Sequence, residues 1–555
     1  MNEHGKSSNK HKTVRAQENK ARKNDINALF QLAQYYENGQ FVEKDIEQAK
    51  VYFDRVLELF KSQSLKISSL KLVDFRVFKN AEINFSNKHN SNLTVIVGNN
   101  GAGKTALLES IEKSLSWIHR KVVSQGGKGD TIDEMDINND RAAEYATIIA
   151  DFSISEKFHY KLELSKPKDG SKVTKKGQYG EISNLANIYK LANSKNIQFN
   201  FPIMASYFIE RALEIRKKDT EGFRDIPGKK YWSKFEGYQQ ALNGAADFKL
   251  FFRWFKYFDD INNASDTKNQ KLMSEISKLK AELILINEML SKIKFNDEGK
   301  EYLSPLKQEK QKEMLKLEAE MDERKKGQPN IVIDSVTKAI YKFLPHFNNI
   351  RIQRSPLLDM LIDKNNVTLS VLQLSQGEKS LLALVADIAR RLVLLNPSLD
   401  DPLAGNGIVL IDEVDLHLHP EWQQSVIPNL LKTFPNIQFI MTTHSPQVVT
   451  TVHDECLRIL ENGKIYNAPK GSKGAESSRM LKRVFGVDVR PPNDSNTKDL
   501  AEYKSLVYSD NWDCSIAQEL RLKLNEQFGD EEPDLTELDL YIENRTWEIE
   551  IEKGQ

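Results

Sequence analysis

The sequence predicts an α/β fold: a parallel sheet carrying a phosphate-binding loop, interrupted by a short antiparallel coiled-coil hairpin and preceded by a pair of helices. Three observations carry this expectation. The apolar strand LTVIV runs directly into GNNGAGKT, Gly98 to Thr105, and then into the helical ALLESIEKSL. A second apolar strand, Ile408 to Ile411, ends on two acids, Asp412 and Glu413. Between them Leu272, Ile276, Leu279, Leu283, Ile286, Leu290 and Ile293 recur at alternating spacings of four and three. Strand, glycine-rich turn and helix in that order are the setting a P-loop needs, and the four-three spacing is a coiled-coil seam.

Bulk properties narrow the class. The 555 residues hold 79 Lys plus Arg and 79 Asp plus Glu, a balance that excludes a generally polybasic protein while leaving room for a local basic patch. Two widely separated cysteines, Cys456 and Cys514, argue against a disulfide framework or a thiolate zinc site. The start MNEHGKSSNKHKTVR lacks the apolar stretch of a secretory signal. The longest apolar run, LLALVADIARRLVLL, is broken by Asp387, Arg390 and Arg391, so no membrane span is expected and a cytoplasmic location is.

Residues 1–23 hold seven basic residues against Glu3 and Glu18 and almost nothing to build a core, so a disordered basic arm is expected, either solvated or touching nucleic acid. Residues 24–61 show two helical periodicities split at Asn38-Gly39-Gln40. Leu29, Leu32 and Tyr36 line one face, and Ile46, Ala49, Phe53 and Leu57 the next. The pattern LAxxYxxGxxVxxDxxxAxxYF resembles one tetratricopeptide-type repeat of the Sel-like kind. A single pair cannot bury its apolar face alone, so it must pack on the same chain or on a partner.

Residues 65–263 form the first lobe of the head, with two strands around Phe75-Arg76. Residues 264–326 form the hairpin, breaking at Asn296 to Gly299, with a first seam about 30 Å long. Residues 327–465 form the second lobe, and 466–555 an acidic helical tail suited to docking a partner.

In the P-loop, Gly98, Asn99, Asn100, Gly101, Ala102 and Gly103 let successive backbone N–H groups turn toward phosphate oxygens at the positive end of a helix dipole. Lys104 would hold the β- and γ-phosphates and the Thr105 hydroxyl would ligate magnesium. LSQGEKS, with Ser375, Gly377 and Glu378, opens another helix and makes a second anion site. Asp412 is placed to hold Mg2+ and Glu413 to orient and deprotonate water. Asp415 follows in DLHLHP, where a metal site at His417 and His419 is the lesser reading. IQFIMTTHSP then carries a strand into His444.

These motifs stand in the order of an ABC-type ATPase head. LSQGEKS resembles its signature, Asp415 falls at its D-loop and His444 at its switch histidine. The resemblance implies a dimer of heads with two ATP molecules between them, each signature completing the opposite site. The Q-loop residue is not assigned by the sequence. The long gap between Lys104 and Ser375, with a hairpin inside it, resembles the SMC, RecF and OLD group. The tail lacks the Asp-x-Asp strand of an OLD nuclease, its nearest approach being Asp510-Asn-Trp-Asp513, so no nuclease is expected in this chain.

More narrowly, GAESSRMLKRVFGVDVRPPND resembles the segment after the histidine motif in PtuA-type ATPases of Septu and retron antiphage systems. That resemblance implies antiviral defence, an HNH nuclease partner (PtuB-like) and, in a retron, a reverse transcriptase with its RNA–DNA product. The alternative is a RecF-like repair ATPase acting directly on DNA.

Overall fold

The computed structural model describes residues 12–60, 64–86, 89–124, 126–140, 142–208, 232–246, 248–292, 298–326, 330–529 and 531–553. It comprises two compact units, Met1–Gly474 and Ala475–Gln555.

Helices α1 (Lys12–Ala21), α2 (Ile26–Asn38) and α3 (Ile46–Leu59) open the first unit. The expected disordered arm is corrected over residues 12–21, which form a helix. Val14 and Ala21, seven residues apart on one face, are buried against α2 and supply the apolar contact that composition alone concealed. Residues 22–23 of the arm form a turn, and residues 1–11 lie outside the described residues. Asp25 caps α2 by accepting the Ala28 N–H at 3.0 Å, and Gly39 ends it at φ +70°, a conformation that suits glycine. Asp45 caps α3 through the Gln48 N–H. Leu29, Leu32 and Ala49 are buried, but Ile46 is 55% exposed because it occupies the first helical position, before α3 meets α2. The pair packs on its own unit, where the buried Phe60 ring meets Tyr189 edge-on at 4.9 Å.

Strands β1 (Leu65–Phe75), β2 (Phe78–Asn84) and β3 (Leu93–Val97) follow, then α4 (Lys104–Val123), β4 (Tyr145–Ile154), β5 (Phe158–Pro167), α5 (Gly180–Lys195) and β6 (Ile203–Tyr207). An antiparallel sheet runs β2-β1-β4-β5. Both β3 and β6 are buried at every position, each buried Val or Ile side chain contributing about 1.5–3 kcal/mol. The Gln438 side-chain amide bridges the layers, accepting the Ile67 N–H at 2.8 Å and donating to Ile67 O at 2.9 Å.

Helix α6 (Phe248–Lys292) and helix α7 (Glu298–Lys326) form the hairpin. Its expected start at residue 264 is corrected. The helix runs unbroken from Phe248, and its aromatic opening, with Phe252 and Trp254 fully buried, belongs to the core of the first unit. Farther along, Leu272, Ile276, Leu279 and Ile286 of the seam are buried, and Lys280–Glu318 and Glu282–Lys310 ion pairs at 3.0 Å link the two helices in opposite directions. Ile293 of the seam lies outside the described residues.

The second lobe adds α8 (Asn330–Phe343), a small antiparallel sheet of β7 (Phe347–Gln353), β8 (Asp359–Lys364) and β9 (Val367–Ser370), then α9 (Gln376–Leu395), β10 (Gly407–Ile411), α10 (Pro420–Thr433), β11 (Ile437–Thr443), α11 (Pro446–Val449), β12 (Leu457–Glu461) and β13 (Lys464–Asn467). The central sheet has the order β13-β12-β3-β11-β10-β6, parallel except for β13. Its register aligns Val97 with Thr443 and Ile411 with Met441. The chain therefore leaves β3, β10 and β11 at one carboxyl edge, where open α/β sheets bind their ligands.

The second unit begins at residue 475, nine residues later than the sequence suggested, because β13 still belongs to the sheet. It holds α12 (Ser477–Phe485), α13 (Ser495–Tyr508), α14 (Ser515–Phe528) and α15 (Pro533–Lys553) around Leu500, Tyr503, Val507, Leu524, Leu535 and Leu538. Asp510, of the Asp-x-x-Asp pair, is bonded to Arg545 at 3.1 Å. Cys456 and Cys514 form no disulfide. Among the described residues no helix is long and apolar enough to cross a membrane.

Candidate functional site

The P-loop begins where β3 ends. A Cβ on Gly98 would lie 2.3 Å from Leu460 O, and one on Gly103 would lie 2.5 Å from Val77 Cγ2, so neither position has space for a side chain. Gly101 and Gly103 also sit at φ +76° and +105°, which turns the loop so that its N–H groups can converge. Ala102 N–H bonds back to Asn99 O at 3.1 Å, tightening the turn. Lys104, the first residue of α4, is buried and donates to Gly98 O at 2.8 Å and Asn99 O at 3.2 Å. Burial lowers its pKa below the usual lysine range, against the raising effect of Asp412, Glu413 and Asp415.

Those acids arrive from β10. Thr105 Oγ1 donates to Asp412 Oδ2 at 2.8 Å, joining loop and strand end across 307 residues. Asp412 is 1% exposed; its N–H is held by Tyr207 O at 2.8 Å, and its Oδ1 accepts from Thr442 Oγ1. The same Thr442 hydroxyl accepts the Glu413 N–H at 2.8 Å. Glu413 sits at φ +45°, unusual for a side chain of its size, so the backbone is turned sharply at the site. Asp415 Oδ1 accepts from Thr443 Oγ1 at 2.6 Å and from the His444 N–H at 3.3 Å. Ser445 continues the series through Gln423 at 2.6 Å.

The fold thus brings Gly98–Thr105, Asp412, Glu413, Asp415 and His444 to one edge. The oxygen donors of Thr105 and Asp412 beside Lys104 suit a hard divalent cation with a phosphate, the preference of Mg2+.

Ser375, Gly377 and Glu378 make a cluster of their own. Ser375 caps α9, its Oγ facing the Glu378 N–H, while Glu378 Oε2 accepts from Ser375 N at 2.9 Å and Oγ at 2.8 Å. Burial opposes charge on Glu378, but Lys364 at 2.6 Å and Ser375 hold its pKa below the ordinary carboxylate value. Glu378 therefore orients the turn that opens α9. Gly377 packs on the loop that follows Asp415: a Cβ there would come within 2.6 Å of His417 O. His419 serves α10, its Nδ1 facing the Glu421 N–H.

Sequence reasoning missed Thr442 and Thr443, although the doubled threonine before His444 was a usable signal. It also missed β6, which lies beside β10 and whose Tyr207 reaches into α9. Tyr207 OH donates to Asp387 Oδ2 at 2.9 Å, Arg390 and Arg391 grip Asp387 at 2.7 Å, and Arg391 also donates to Gly237 O and Gln239 O. The three charges that interrupt the apolar run of α9 are all buried and paired. Burial raises the pKa of Asp387, yet Arg391 and Arg390 outweigh it and keep the carboxyl below its usual range.

A parallel sheet with this loop, this pair of acids and this histidine defines a P-loop ATPase head of the ABC type. The model of the AAA ATPase domain family matches residues 65–449; the chain belongs to that family and is an ATPase. Within it, the chain is 38% identical over 537 residues to the Retron Ec83 probable ATPase of Escherichia coli, covering 97% of each. It is 32% identical over 526 residues to the Retron Vc95 probable ATPase of Vibrio cholerae serotype O1 biovar El Tor, covering 92% of this chain and 96% of that one. The Septu protein PtuA of Bacillus mycoides (strain KBAB4) is 35% identical over 130 residues, 21% of this chain and 18% of its own. The chain thus belongs with the retron ATPases, and a stretch of it is similar to Septu PtuA.

Proposed function

We propose that this chain is the ATPase subunit of an antiphage defence complex, in which two heads close around two Mg2+–ATP and govern a nuclease supplied by a partner. The observation that carries the chemistry is the chain of contacts Thr105–Asp412–Thr442–Glu413 at the carboxyl edge of the sheet. Lys104 and the loop N–H groups hold the β- and γ-phosphates. Thr105 and Asp412 hold the magnesium, which neutralises phosphate charge when bound. Glu413 takes a proton from the attacking water, and His444, pinned through its backbone to Asp415, faces the γ-phosphate. The capped Ser375 turn serves the nucleotide of the opposing head, and its packing on the D-loop couples the two sites.

The names of the retron and Septu relatives support the defence reading and a complex with further components. In this reading those components are an HNH nuclease, a reverse transcriptase and its RNA–DNA product. The exposed cations of α1, Lys12, Arg15 and Lys20, held in place by buried Val14, suit a nucleic-acid backbone better than a loose tail would.

Affinity purification from the native operon, with mass spectrometry and nucleic-acid extraction, tests this. An HNH protein, together with a branched RNA–DNA, is the expected recovery. The chain alone, retaining genomic DNA only in ATP, would instead make it a repair ATPase. Removing residues 1–61 is expected to abolish recovery of the reverse transcriptase and its nucleic acid. Glu413→Gln is expected to retain bound ATP while slowing hydrolysis about 10²–10⁴-fold.

A further inference from the structure

The second unit, Ala475–Gln555, holds nineteen acidic and ten basic residues, a net charge of −9; the chain as a whole is neutral, so the first 474 residues carry +9. Half of those ten cations are engaged inside the unit: Arg490 and Lys504 on Asp534, Arg521 on Asp539, Lys523 on Asp499 and Arg545 on Asp510. Helix α15 has two apolar faces. One buries Leu535 and Leu538 in the core, with Ile542 packed against it. The other, nearly opposite at 100° per residue, is in water: Leu540 is 56%, Trp547 65% and Ile551 44% exposed. Exposed Glu543 and Glu550 flank this stripe on one side, and exposed Glu537 and Glu548 on the other.

We propose that this acid-rimmed stripe of α15 docks a basic amphipathic helix of a partner protein. The proposal rests on the partner reading above and names its surface and chemistry. From Leu540 to Ile551 the stripe is about 17 Å long, enough for about three turns of a facing helix. An exposed tryptophan between aliphatic neighbours is the anchor composition of a helix-in-groove contact. The rim decides what can sit there. Phosphodiester backbones and anionic lipid would meet carboxylates, and the same stripe of a second copy would oppose like charges, whereas a helix with Lys or Arg flanking its apolar positions meets complementary charge along both edges.

The test uses the full chain expressed with its operon, carrying the photoreactive residue p-benzoylphenylalanine in place of Asn544, which lies on the same face. The expected result is a cross-link to a segment of another protein that has apolar residues at helical spacing and Lys or Arg beside them. Its yield should fall at least tenfold both in Trp547→Ala and in the charge-reversed Glu543→Lys/Glu550→Lys chain, with ATP hydrolysis unchanged in each. Cross-links confined to copies of this chain, to nucleic acid or to an acidic segment would overturn the proposal, as would wild-type yield in either variant or no cross-link at all. A basic helix on a protein that is not a nuclease would leave the surface standing and remove the nuclease reading. An HNH protein that co-purifies but never cross-links here would do the reverse.

Discussion

Thr442, next to last in β11, donates a hydrogen bond at 2.5 Å to Oδ1 of Asp412, the residue after β10. Because its hydroxyl also receives the Glu413 N–H, one threonine orients both acids of the site.

Replacing Thr442 with valine keeps the strand and removes the hydroxyl. The expected outcome is a fall in kcat of about 10–100-fold with little change in ATP affinity, since the lost bonds support the acids and not the phosphate loop. Thr442→Ser should restore most of the rate. Steady-state kinetics and nucleotide titration separate the two quantities; a loss of affinity as large as the loss of kcat would show that Thr442 supports binding instead.

Gly377 has no space for a methyl group, since its Cβ would meet His417 O at 2.6 Å. Gly377→Ala is expected to cost about 1–3 kcal/mol of stability by overpacking and to displace the Ser375 turn from the loop that carries His417. In a Glu413→Gln background, sedimentation with ATP should then show heads that bind nucleotide but no longer pair. Pairing at wild-type strength would count against the assignment of this turn.

Burial raises Glu112, on α4, to a pKa of about 7, with the hydrogen bond from Ser206 Oγ at 2.5 Å pulling the other way. A carboxyl whose folded pKa lies above its unfolded value binds more protons when folded. Its protonation therefore favours the fold below the unfolded value near 4.5, and that benefit is lost as pH rises through about 7. Glu112→Gln should remove the penalty and stabilise the protein by about 1–2 kcal/mol at pH 8, with a smaller gain at pH 5. Thermal melts at the two pH values decide it; an equal shift at both would place the effect elsewhere.

Asp387 neutralises two arginines that are 0% exposed. Asp387→Ala leaves both buried and uncompensated, at an expected cost of about 3–5 kcal/mol. Tyr207→Phe removes only the hydroxyl and should cost about 1–2 kcal/mol. Denaturant unfolding of the pair measures both; a loss under 1 kcal/mol for Asp387→Ala would mean the cluster is hydrated.

Much of the site was legible because its residues act through local chemistry. A phosphate loop needs glycines beside a lysine and a threonine, and a buried strand ending in two acids advertises itself in any order of folding. The roles of Thr442 and Tyr207 were not legible, since a threonine in a strand reads as β-branched packing and a tyrosine as core. Only the register of β6, β10 and β11 reveals whose hydroxyl reaches which acid. Residues 12–21 erred in the other direction: composition suggested disorder, and two apolar positions sufficed for a docked helix.

By itself the sequence determined the elements and the reactive groups: the P-loop, the Asp412-Glu413 pair, the capped Ser375 turn, the coiled-coil seam and the helical pair. These follow from periodicity and from residue chemistry within a few positions along the chain. The tertiary structure alone decided that Thr105 meets Asp412, that Asp387, Arg390 and Arg391 are buried together, that the hairpin helix begins inside the core at Phe248, and that α15 keeps one apolar face in water. Such contacts join residues far apart in sequence. Their energies depend on burial and on which partner arrives, and neither quantity exists until the chain has folded.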